Sequence, residues 1–323
     1  MGLCEAMGVV GAMSQSKATL LERVVTLNTY RHGERRAPHK PLLLLVAIAY
    51  LLRGRTRLHY EEVEAALLPL LEAYAPPVSK RHQPDNPYWY LRSDGLWEIE
   101  QVESMARTAS GYPTQAAFRA SVGGLPAEII ARIQNEPGLA QQLIAGLLST
   151  YFPATQHESL LEAVGLGDLN PSGEEVADET GEYAVTRPTR DPAFREAVLR
   201  AYEYRCAFSG FRASLGRSYF GCEAAHVQWH AYAGPDSVAN GLALEPTIHT
   251  LFDAGAWTLT DDRRILVSAT FTGSEVAVER LRARHGQPLL EPLPGQPRIE
   301  IEYIRWHREP KLGGVFREPA LPL

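Results

Sequence analysis

The sequence predicts an α+β protein with two domains, and three observations support this prediction. The chain has 323 residues, which is long enough for two hydrophobic cores. In its first half, segments with helical periodicity stand beside short, aromatic-rich segments that favour strands. Residues 165–182 are acidic, rich in small residues and poor in apolar ones, a composition that is typical of a linker. We therefore place the domains at 17–164 and 191–323, with a linker at 165–190.

The first domain is expected to be mainly helical, with a small β component. Two aromatic-rich segments, Tyr88–Leu91 and Gly95–Ile99, flank a turn at Ser93-Asp94-Gly95 and predict a β-hairpin. Elsewhere helical periodicity predicts six helices. These helices cover Leu20–Leu27, Lys40–Leu52, Tyr60–Tyr74, Thr114–Ser121, Pro126–Gln134 and Leu139–Tyr151.

Composition excludes several classes of protein. No apolar run reaches the length of a membrane span, so no membrane partner is expected. Residues 1–16 lack a basic start followed by a long apolar core, so we expect a disordered extension rather than a secretory signal. Three cysteines, Cys4, Cys206 and Cys222, argue against a disulfide framework and suit a reducing cytoplasm.

Basic residues are segregated along the chain, although the net charge is −6. The stretch 31–57 holds many arginines and histidines but a single acid, Glu34, and a second basic group follows at 80–82. A nucleic-acid partner would need such a local basic face set against acids elsewhere. The expected DNA-binding candidates are Arg31, Arg35, Lys40, Arg81 and His82.

The second domain carries a spaced set of groups that suits phosphodiester hydrolysis. Asn240 follows His226 by fourteen positions, His249 follows nine later, and Asp253 comes four residues after that. A neutral imidazole, His226, can take a proton from water near pH 7. An imidazole and a carboxylate at i and i+4 share one helical face and can hold a divalent metal. An Asn between strand and helix can pin the loop that carries the base.

This spacing resembles that of HNH nucleases, which have the ββα-metal fold. Successive blocks of the second domain look like the McrA-like HNH family of restriction endonucleases. The blocks are 204–210, 223–227, 240–244, 249–255 and 303–309. The resemblance implies His226 as general base, Asn240 as loop anchor, and His249 with Asp253 as ligands of one divalent ion such as Mg²⁺ or Mn²⁺. Glu223 is a further candidate ligand, but a regular strand would place it on the face opposite His226.

A structural zinc site is not expected, although many HNH relatives carry two CxxC pairs. Cys206 is followed at i+3 by Ser209, and Cys222 has no near cysteine partner. Because four thiolates are absent, a closed zinc site of the usual kind cannot form. We interpret both cysteines as small buried apolar residues.

The first domain resembles the sulfur-binding domain that reads phosphorothioate DNA, in which sulfur replaces one non-bridging phosphate oxygen. The blocks that carry this resemblance are 39–45, 86–91, 95–97, 111–116 and 147–153. In that family a shallow apolar cup, made by a Tyr-Pro pair and an Ala three residues later, holds the sulfur. Tyr112, Pro113 and Ala116 match this pattern. In McrA-like type IV restriction enzymes the domain precedes an HNH domain, as it does here.

An apolar cup can discriminate sulfur from oxygen on physical grounds alone. An anionic oxygen resists an apolar pocket because its desolvation is not compensated by hydrogen bonds. Sulfur is larger, softer and less strongly hydrated, so it loses less on the same transfer. Such a cup therefore selects by penalising normal phosphate, while basic neighbours hold the surrounding backbone.

Three functions agree with the sequence. The first is an endonuclease that reads phosphorothioate in double-stranded DNA and cuts nearby. The second is an HNH endonuclease whose first domain reads a modified base, such as a modified cytosine, in an aromatic cage of Trp89, Tyr90 and Trp97. The third is a non-cleaving DNA-binding protein, against which the intact His226, Asn240 and His249 argue. The sequence leaves a homodimer open.

Overall fold

The described residues build a separate hydrophobic core on each side of the predicted linker. The computed structural model describes residues 20–28, 38–77, 82–167 and 192–323. The predicted extension 1–16 and most of the predicted linker lie outside these ranges. The first core takes its side chains from Leu20 to Leu166, and the second from Phe194 to Ile304. Helices with small antiparallel sheets make up both, which confirms the α+β fold class.

The first domain is organised around one buried helix. This helix, α1 (His39–Leu52), is apolar on nearly every side. It packs against the helices at Tyr60–Tyr74, Asp85–Tyr90 and Leu139–Tyr151. A further helical segment covers 20–25, close to the predicted start. The remaining helices of this domain are α2 (Tyr60–Tyr74), α3 (Asp85–Tyr90), α4 (Gln115–Arg119), α5 (Ala127–Asn135), α6 (Leu139–Tyr151) and α7 (His157–Ala163). All six predicted helices are therefore confirmed in place, within a few residues at their ends.

A three-stranded antiparallel sheet lies beside these helices. Its strands β1 (Leu58–His59), β2 (Glu98–Ile99) and β3 (Val122–Gly124) are arranged in the order β1-β3-β2. Gly123 sits at the centre of this sheet. A Cβ there would lie 2.8 Å from the Tyr88 hydroxyl and 2.9 Å from the Trp97 ring. The missing side chain thus lets the aromatic core approach the sheet.

The predicted β-hairpin at 88–99 is wrong for most of its length. Tyr88 lies in α3, Leu91–Asp94 form a 3₁₀ turn, and only β2 is extended. Pro87 sits in the first turn of α3, where no backbone N–H is needed. Tyr88 is fully buried and packs edge-on against Tyr60 and Trp97, with ring centroids 5.1 and 5.4 Å away. Packing in the core therefore overrides the strand preference of the aromatic residues.

The second domain places one short hairpin between two helices. Strands β6 (Glu223–His226) and β7 (Gly241–Leu244) pair in antiparallel register, and both contact α8 (Pro192–Ala201), while α9 (Pro246–Asp253) packs on β6. Strands β8 (Trp257–Leu259) and β9 (Ile265–Val267) form a further hairpin that turns around Asp261-Asp262. The other elements are β4 (Ala213–Leu215), β5 (Ser218–Phe220), α10 (Glu275–Arg282) and α11 (Ile301–Arg308). Among the described residues no helix is long and apolar enough to cross a membrane.

A buried histidine fixes α9 against the rest of the second domain. His307 of α11 is 0% exposed, and its ring stacks on Phe252 at a centroid distance of 3.7 Å. Its Nε2–H donates to the Phe252 carbonyl at 3.1 Å, so Nδ1 accepts from the Thr258 hydroxyl at 2.9 Å. This bonding uses the neutral ring, since a protonated ring has no acceptor nitrogen.

The two domains touch at the end of α9. A 3₁₀ turn of the first domain, Ala154–Gln156, packs on this helix. The Thr155 hydroxyl donates to the Asp253 carboxylate, and Gln156 Nε2 donates to the Asp253 carbonyl at 3.0 Å. Arg317 of the second domain donates to the Ala73 carbonyl of the first at 2.7 Å. The contact thus joins α2 and the 3₁₀ turn to the helix that carries His249.

Acid should destabilise the second domain through His307. Burial lowers the pKa of His307 to about 3, whereas the unfolded chain binds this proton near pH 6.5. The stabilisation from the neutral ring is therefore complete above pH 6.5 and is lost as the pH falls toward 3. We expect this residue to lower the free energy of unfolding by about 1.4 kcal/mol per pH unit between pH 6 and 4.

Urea denaturation at several pH values measures this slope. A His307→Gln variant should be less stable at pH 7 but should show a flatter pH dependence, by about one proton. Equal slopes for the variant and the wild type would contradict the assignment.

Candidate active site and DNA-reading site

His226 stands at the end of β6, against helix α8. Its strand partner is Gly241, where a Cβ would lie 2.4 Å from Val198 and 3.2 Å from Phe194. The glycine thus lets α8 approach the ladder, and the Phe194 ring stacks on the His226 ring at 4.0 Å and 17°. This stacking limits the orientations that the His226 ring can take.

The His226 ring is further fixed by a carboxylate. Its Nε2 lies 2.6 Å from Asp236 Oδ1, and the two side chains are 13% and 32% exposed. Because a carboxylate only accepts hydrogen bonds, Nε2 carries the proton and the lone pair of the neutral ring is on Nδ1. Asp236 is not among the predicted site residues. The signal was available, since Asp236 is the one carboxylate between His226 and Asn240.

Asn240 closes the loop between the two strands. It is completely buried; its Oδ1 accepts from the Gln228 N–H at 2.8 Å, and its Nδ2 donates to the carbonyls of Gln228 and Pro235 at 2.9 and 3.1 Å. Gly234 lies under this clamp, where a Cβ would be 1.8 Å from the Gln228 carbonyl oxygen. Beyond the last paired residues of β6 and β7, hydrogen bonds of the Asn240 side chain therefore take the place of backbone pairing. They hold the loop that carries Asp236.

His249 faces a different set of groups. It lies on α9 and is 2% exposed. Its Nδ1 is 2.9 Å from Glu223 Oε2, and its Nε2 is 3.3 Å from Asp253 Oδ2. Glu223 is the predicted third ligand, and here it accompanies His249 rather than His226. The ring of His249 is thus held between two carboxylates.

His226 and His249 pair with different carboxylates, Asp236 for the first and Glu223 with Asp253 for the second. Successive strand residues point to opposite faces. Glu223 contacts α9 on one side, whereas His226 contacts Phe194 of α8 on the other. The base and the predicted metal ligands therefore have different hydrogen-bond and ring partners.

Asp253 is occupied by structural contacts. Its side chain is 2% exposed, and Oδ1 accepts from Trp229 Nε1 at 2.9 Å. Oδ2 accepts from the Thr155 hydroxyl, next to His249 Nε2. A buried carboxylate needs such donors, because an unpaired one would carry a large desolvation cost. Asp253 therefore connects Trp229, helix α9 and the first domain.

These contacts do not fit the predicted metal centre. A metal on His249 would have to displace Glu223 or Asp253 from a ring nitrogen, and a metal on Asp253 would have to displace Trp229 or Thr155. No group of three or more histidine, cysteine or acidic side chains suited to a metal ion occurs in the part of the chain that the structure describes. We therefore assign no catalytic step to a metal at Glu223, His249 and Asp253.

The two described cysteines are buried free thiols. Cys206 is 0% and Cys222 is 9% exposed. Cys206 Sγ accepts from the backbone N–H groups of Ser209 and Glu245, at 3.5 and 3.4 Å. Burial raises the pKa of Cys222 to about 12, so its thiol is protonated at neutral pH. Both side chains pack in the second core.

A second site lies on the surface of the first domain. An open depression of about 600 Å³ is lined by aromatic and polar side chains. Tyr112 is half-buried in it, and its hydroxyl donates toward Asn86 Oδ1 at 3.1 Å and Asp85 Oδ2 at 3.3 Å. Burial and the neighbouring Asp85 raise the pKa of Tyr112 well above its usual range, so the phenol stays neutral. The lining residues are Asn86, Trp89, Tyr90, Thr108, Ser110, Gly111 and Tyr112.

The predicted cup residues differ in exposure. Pro113 is buried and bridges to Arg107 across the loop, whereas Ala116 is exposed in the first turn of α4. Of the predicted aromatic cage, Trp89 and Tyr90 line the depression. Trp97 does not, since it is 2% exposed and packs on Tyr88 in the core.

Two arginines that the sequence analysis did not place in a site stand at this depression. The guanidinium groups of Arg92 and Arg107 lie 4.1 and 5.2 Å from the Trp89 ring centroid. Arg107 also donates to the Gly111 carbonyl at 3.2 Å. They could be found only from the fold, because α3, the 3₁₀ turn and the 107–113 loop bring them together. The depression thus has an aromatic lining and a cationic border.

The predicted DNA-binding residues have different positions. Arg31, Arg35 and Arg81 lie outside the described residues. Lys40 is 8% exposed, and its ammonium group is 2.6 Å from the Asp94 carboxylate and 2.5 Å from the Asn28 carbonyl. These partners use Lys40 to join α1 to the 3₁₀ turn, so it is removed from the DNA-contact set. His82 is also 8% exposed, and burial lowers its pKa.

Comparison with known protein families finds both domains. Residues 17–169 match the family described as "ScoMcrA-like, DNA sulfur-binding domain", and residues 206–260 match the family described as "HNH endonuclease". The two resemblances drawn from the sequence are thereby confirmed. Among curated proteins, none is similar enough to this chain to count as a relative.

Solved structures that are similar to part of this chain include two sulfur-binding domains and one whole restriction endonuclease. The sulfur-binding domain of ScoMcrA, complexed with phosphorothioated DNA, is 30% identical over 46% of this chain and 96% of its own, with a TM-score of 0.41. The corresponding domain of SprMcrA is 26% identical over 47% of this chain and 95% of its own, with a TM-score of 0.39. ScoMcrA itself, a type IV phosphorothioation-dependent restriction endonuclease, is 27% identical over 56% of this chain, which covers 33% of that protein, with a TM-score of 0.39.

Replacement of Asp253 should separate a structural role from metal binding. Asp253→Asn places an amide where both oxygens now accept hydrogen bonds, so we expect a loss of about 1–3 kcal/mol in stability. The metal concentration that gives half-maximal cleavage should stay unchanged. Urea denaturation and metal titration measure the two effects. Thr155→Val removes one of the donors to Asp253 and should likewise lower the free energy of unfolding.

Asp262→Asn provides the matched control, because this carboxylate lies in an exposed hairpin turn. A higher metal requirement with unchanged stability would show that Asp253 is a metal ligand after all.

Proposed function

Because this chain belongs to the ScoMcrA-like family with a DNA sulfur-binding domain and also carries an HNH endonuclease domain, we propose that it is a modification-dependent DNA endonuclease. In this proposal the first domain reads phosphorothioate in double-stranded DNA, and the second hydrolyses a phosphodiester bond nearby. The observation that carries the proposal is the joint match of residues 17–169 and 206–260 within one chain.

The depression around Tyr112 supports the reading step. Its aromatic lining offers a weakly polar surface, on which a sulfur loses less hydration free energy than an oxygen. Arg92 and Arg107 stand at its border, where guanidinium groups can hold the flanking phosphates. In this assignment Tyr112, Pro113 and Ala116 form the sulfur contact. Arg31, Arg35 and Arg81 stay predicted contacts to the DNA backbone.

The geometry around His226 supports the cleavage step. Asp236 holds the proton on Nε2, so Nδ1 is the nitrogen that accepts a proton from the attacking water. Phe194 and the Asn240 clamp keep the ring and its loop in place. HNH endonuclease domains generally depend on a divalent metal ion, so cleavage should require one. A cytoplasmic location, expected from cysteine usage, stays a prediction.

A modified-base reader is the second candidate function. The depression is lined by Trp89, Tyr90 and Tyr112, and its volume of about 600 Å³ is within the usual range of ligand pockets. An extruded base could stack on these rings, with the Asn86 side chain at its edge. Both a phosphorothioate reader and a modified-base reader could use these aromatic rings, so the binding of the two kinds of duplex must be compared directly.

Binding of matched duplexes tests the reading step. In the presence of a chelator, the full chain should bind a duplex with one phosphorothioate more tightly than the same duplex with oxygen. We expect a preference of about 1–3 kcal/mol, as for one good discriminating contact. Tyr112→Ala should erase this preference. Tyr112→Phe keeps the ring and removes only the hydroxyl, so it should retain the preference. Arg92→Ala should weaken binding to both duplexes.

Stereochemistry and a second ligand sharpen this test. A fixed cup can face one non-bridging position, so one phosphorus diastereomer should bind better than the other. If both diastereomers bind like plain DNA while a duplex with modified cytosine binds tightly, the base-reading function replaces the sulfur-reading one.

Cleavage assays test the assignment of the base. His226→Ala should reduce the cleavage rate by about 10²–10⁴-fold and leave DNA binding unchanged, because the base acts only in the transition state. Asp236→Asn should reduce the rate less. His285→Ala serves as the control, since this ring contacts backbone groups of Val267 and Pro322 in the same domain. Wild-type cutting by purified His226→Ala protein would rule out this residue as the base.

A further inference from the structure

A short β-ribbon of the second domain is exposed on both of its faces. We call it the 211–220 hairpin. Its strands β4 and β5 pair only with each other among the described strands, and their six residues are all exposed or half-exposed. Gly216 makes the turn with a φ of +60°. A two-stranded ribbon is marginally stable in water unless it packs on something.

This hairpin concentrates apolar side chains in solvent. Leu215 beside the turn is 78% exposed, and Phe220 in β5 is 54% exposed. Phe211 is 43% exposed and Tyr219 is 42% exposed. Single exposed apolar residues are ordinary on a protein surface, but four within ten residues form a patch that marks an interaction site.

The charge of the hairpin has one sign. Residues 211–220 contain Arg212 and Arg217 and no acid, in a chain whose net charge is −6. Neither arginine forms an ion pair with a carboxylate of the described residues. Arg212 lies 4.8 Å from the centroid of the Tyr219 ring and donates to its hydroxyl at 2.8 Å, which stiffens the ribbon. Arg217 stands at the turn with its charge available to a partner.

The base of the hairpin is tied to the helix that supports His226. Tyr219 stacks on Tyr204 at 4.5 Å and 13°, and the Tyr204 hydroxyl donates to Glu196 of α8 at 2.8 Å. Two residues before Glu196, Phe194 stacks on the His226 ring. The hairpin also leads directly into β6, since Phe220 precedes His226 by six residues. The ribbon is therefore linked both to helix α8 and to the strand that carries His226.

We propose that the 211–220 hairpin is the part of the nuclease domain that grips the DNA duplex beside the bond to be cut. This proposal rests on the proposed function, because it takes DNA as the substrate. Arg217 contacts a phosphate, and the apolar side chains around the turn enter a groove. A two-stranded ribbon fits the major groove, and apolar side chains can wedge between base steps in the minor groove.

DNA fits this surface better than a second copy of the chain does. The positive ribbon complements a polyanion. A stable dimer needs about 800 Å² of buried surface on each partner, which is much more than the turn of a ten-residue hairpin provides.

Duplex length gives a direct test with the full chain and a chelator to prevent cutting. Two duplexes carry the same single phosphorothioate; the short one spans only the sulfur-reading site, and the long one extends far enough to reach the nuclease domain. The wild type should bind the long duplex more tightly than the short one. In Leu215→Ser and in Arg217→Glu, the ratio of the affinity for the long duplex to that for the short duplex should fall roughly three- to tenfold. The affinity for the short duplex should stay at its wild-type value. Arg217→Glu should also reduce the slope of log affinity against log salt by about one.

Two variants on α10 serve as matched controls. Val276→Ser changes a side chain that is 77% exposed, close to the value for Leu215, and Arg282→Glu makes the same charge change as Arg217→Glu on an exposed arginine. Both should retain the gain. Circular dichroism melting checks that all four variants fold.

The outcomes separate this proposal from the reading of sulfur. If the protein binds the short duplex equally well with sulfur and with oxygen, the sulfur-reading function fails. The hairpin proposal is then tested by comparing the same variants with the wild type on a long unmodified duplex. If hairpin variants keep the full gain, or if the controls lose as much, the proposed grip is overturned. If the variants instead convert a dimer into a monomer with DNA affinity unchanged, the hairpin is an interface between two copies and the proposal is likewise overturned.

Discussion

The buried carboxylate of Asp253 is the contact on which the arrangement of the molecule depends. It collects hydrogen bonds from the Trp229 indole and the Thr155 hydroxyl and lies beside the His249 ring. A charge at 2% exposure is stable only while its donors stay in place, because loss of a partner leaves an uncompensated buried charge. The last turn of α9 is therefore fixed at once by the loop that follows β6 and by the first domain.

The pleat of β6 sets the second constraint. Since the side chains of a strand alternate, Glu223 turns toward α9 and His226 toward α8. His226 then depends on Phe194 and Asp236 for its orientation, and His249 depends on two carboxylates. The exposed 211–220 hairpin leads into the same strand at its Glu223 end.

The sequence predicted the fold class, six helices of the first domain and both families, because periodicity and spaced blocks are local signals. It missed the structure of 88–99, since the burial of Tyr88 against Tyr60 and Trp97 is a tertiary effect that aromatic content alone does not reveal. Lys40 looked like a DNA contact because its neighbours in the sequence are basic. In the fold it meets Asp94, which is 54 residues away.

The candidate site shows the same division between local and non-local information. The residues His226 and Asn240 could be read from their spacing, and so could the i, i+4 pair of His249 and Asp253. Which groups meet could not be read, because Thr155 reaches Asp253 from another domain, 98 residues away. Arg92 and Arg107 likewise meet over Trp89 only once the 107–113 loop folds back.

The contact between domains has a consequence for how reading and cutting are coupled. With a flexible linker alone, a bound reader would raise the local concentration of the nuclease over a broad range of DNA positions. Here Thr155 and Gln156 hold α9, and Arg317 holds the end of α2, so the docked nuclease has one position relative to the depression around Tyr112. A docked nuclease would cut at a narrow range of distances from the modification, whereas an undocked one would cut at scattered distances. The spread of cut positions therefore reports whether the Asp253 contact persists on DNA.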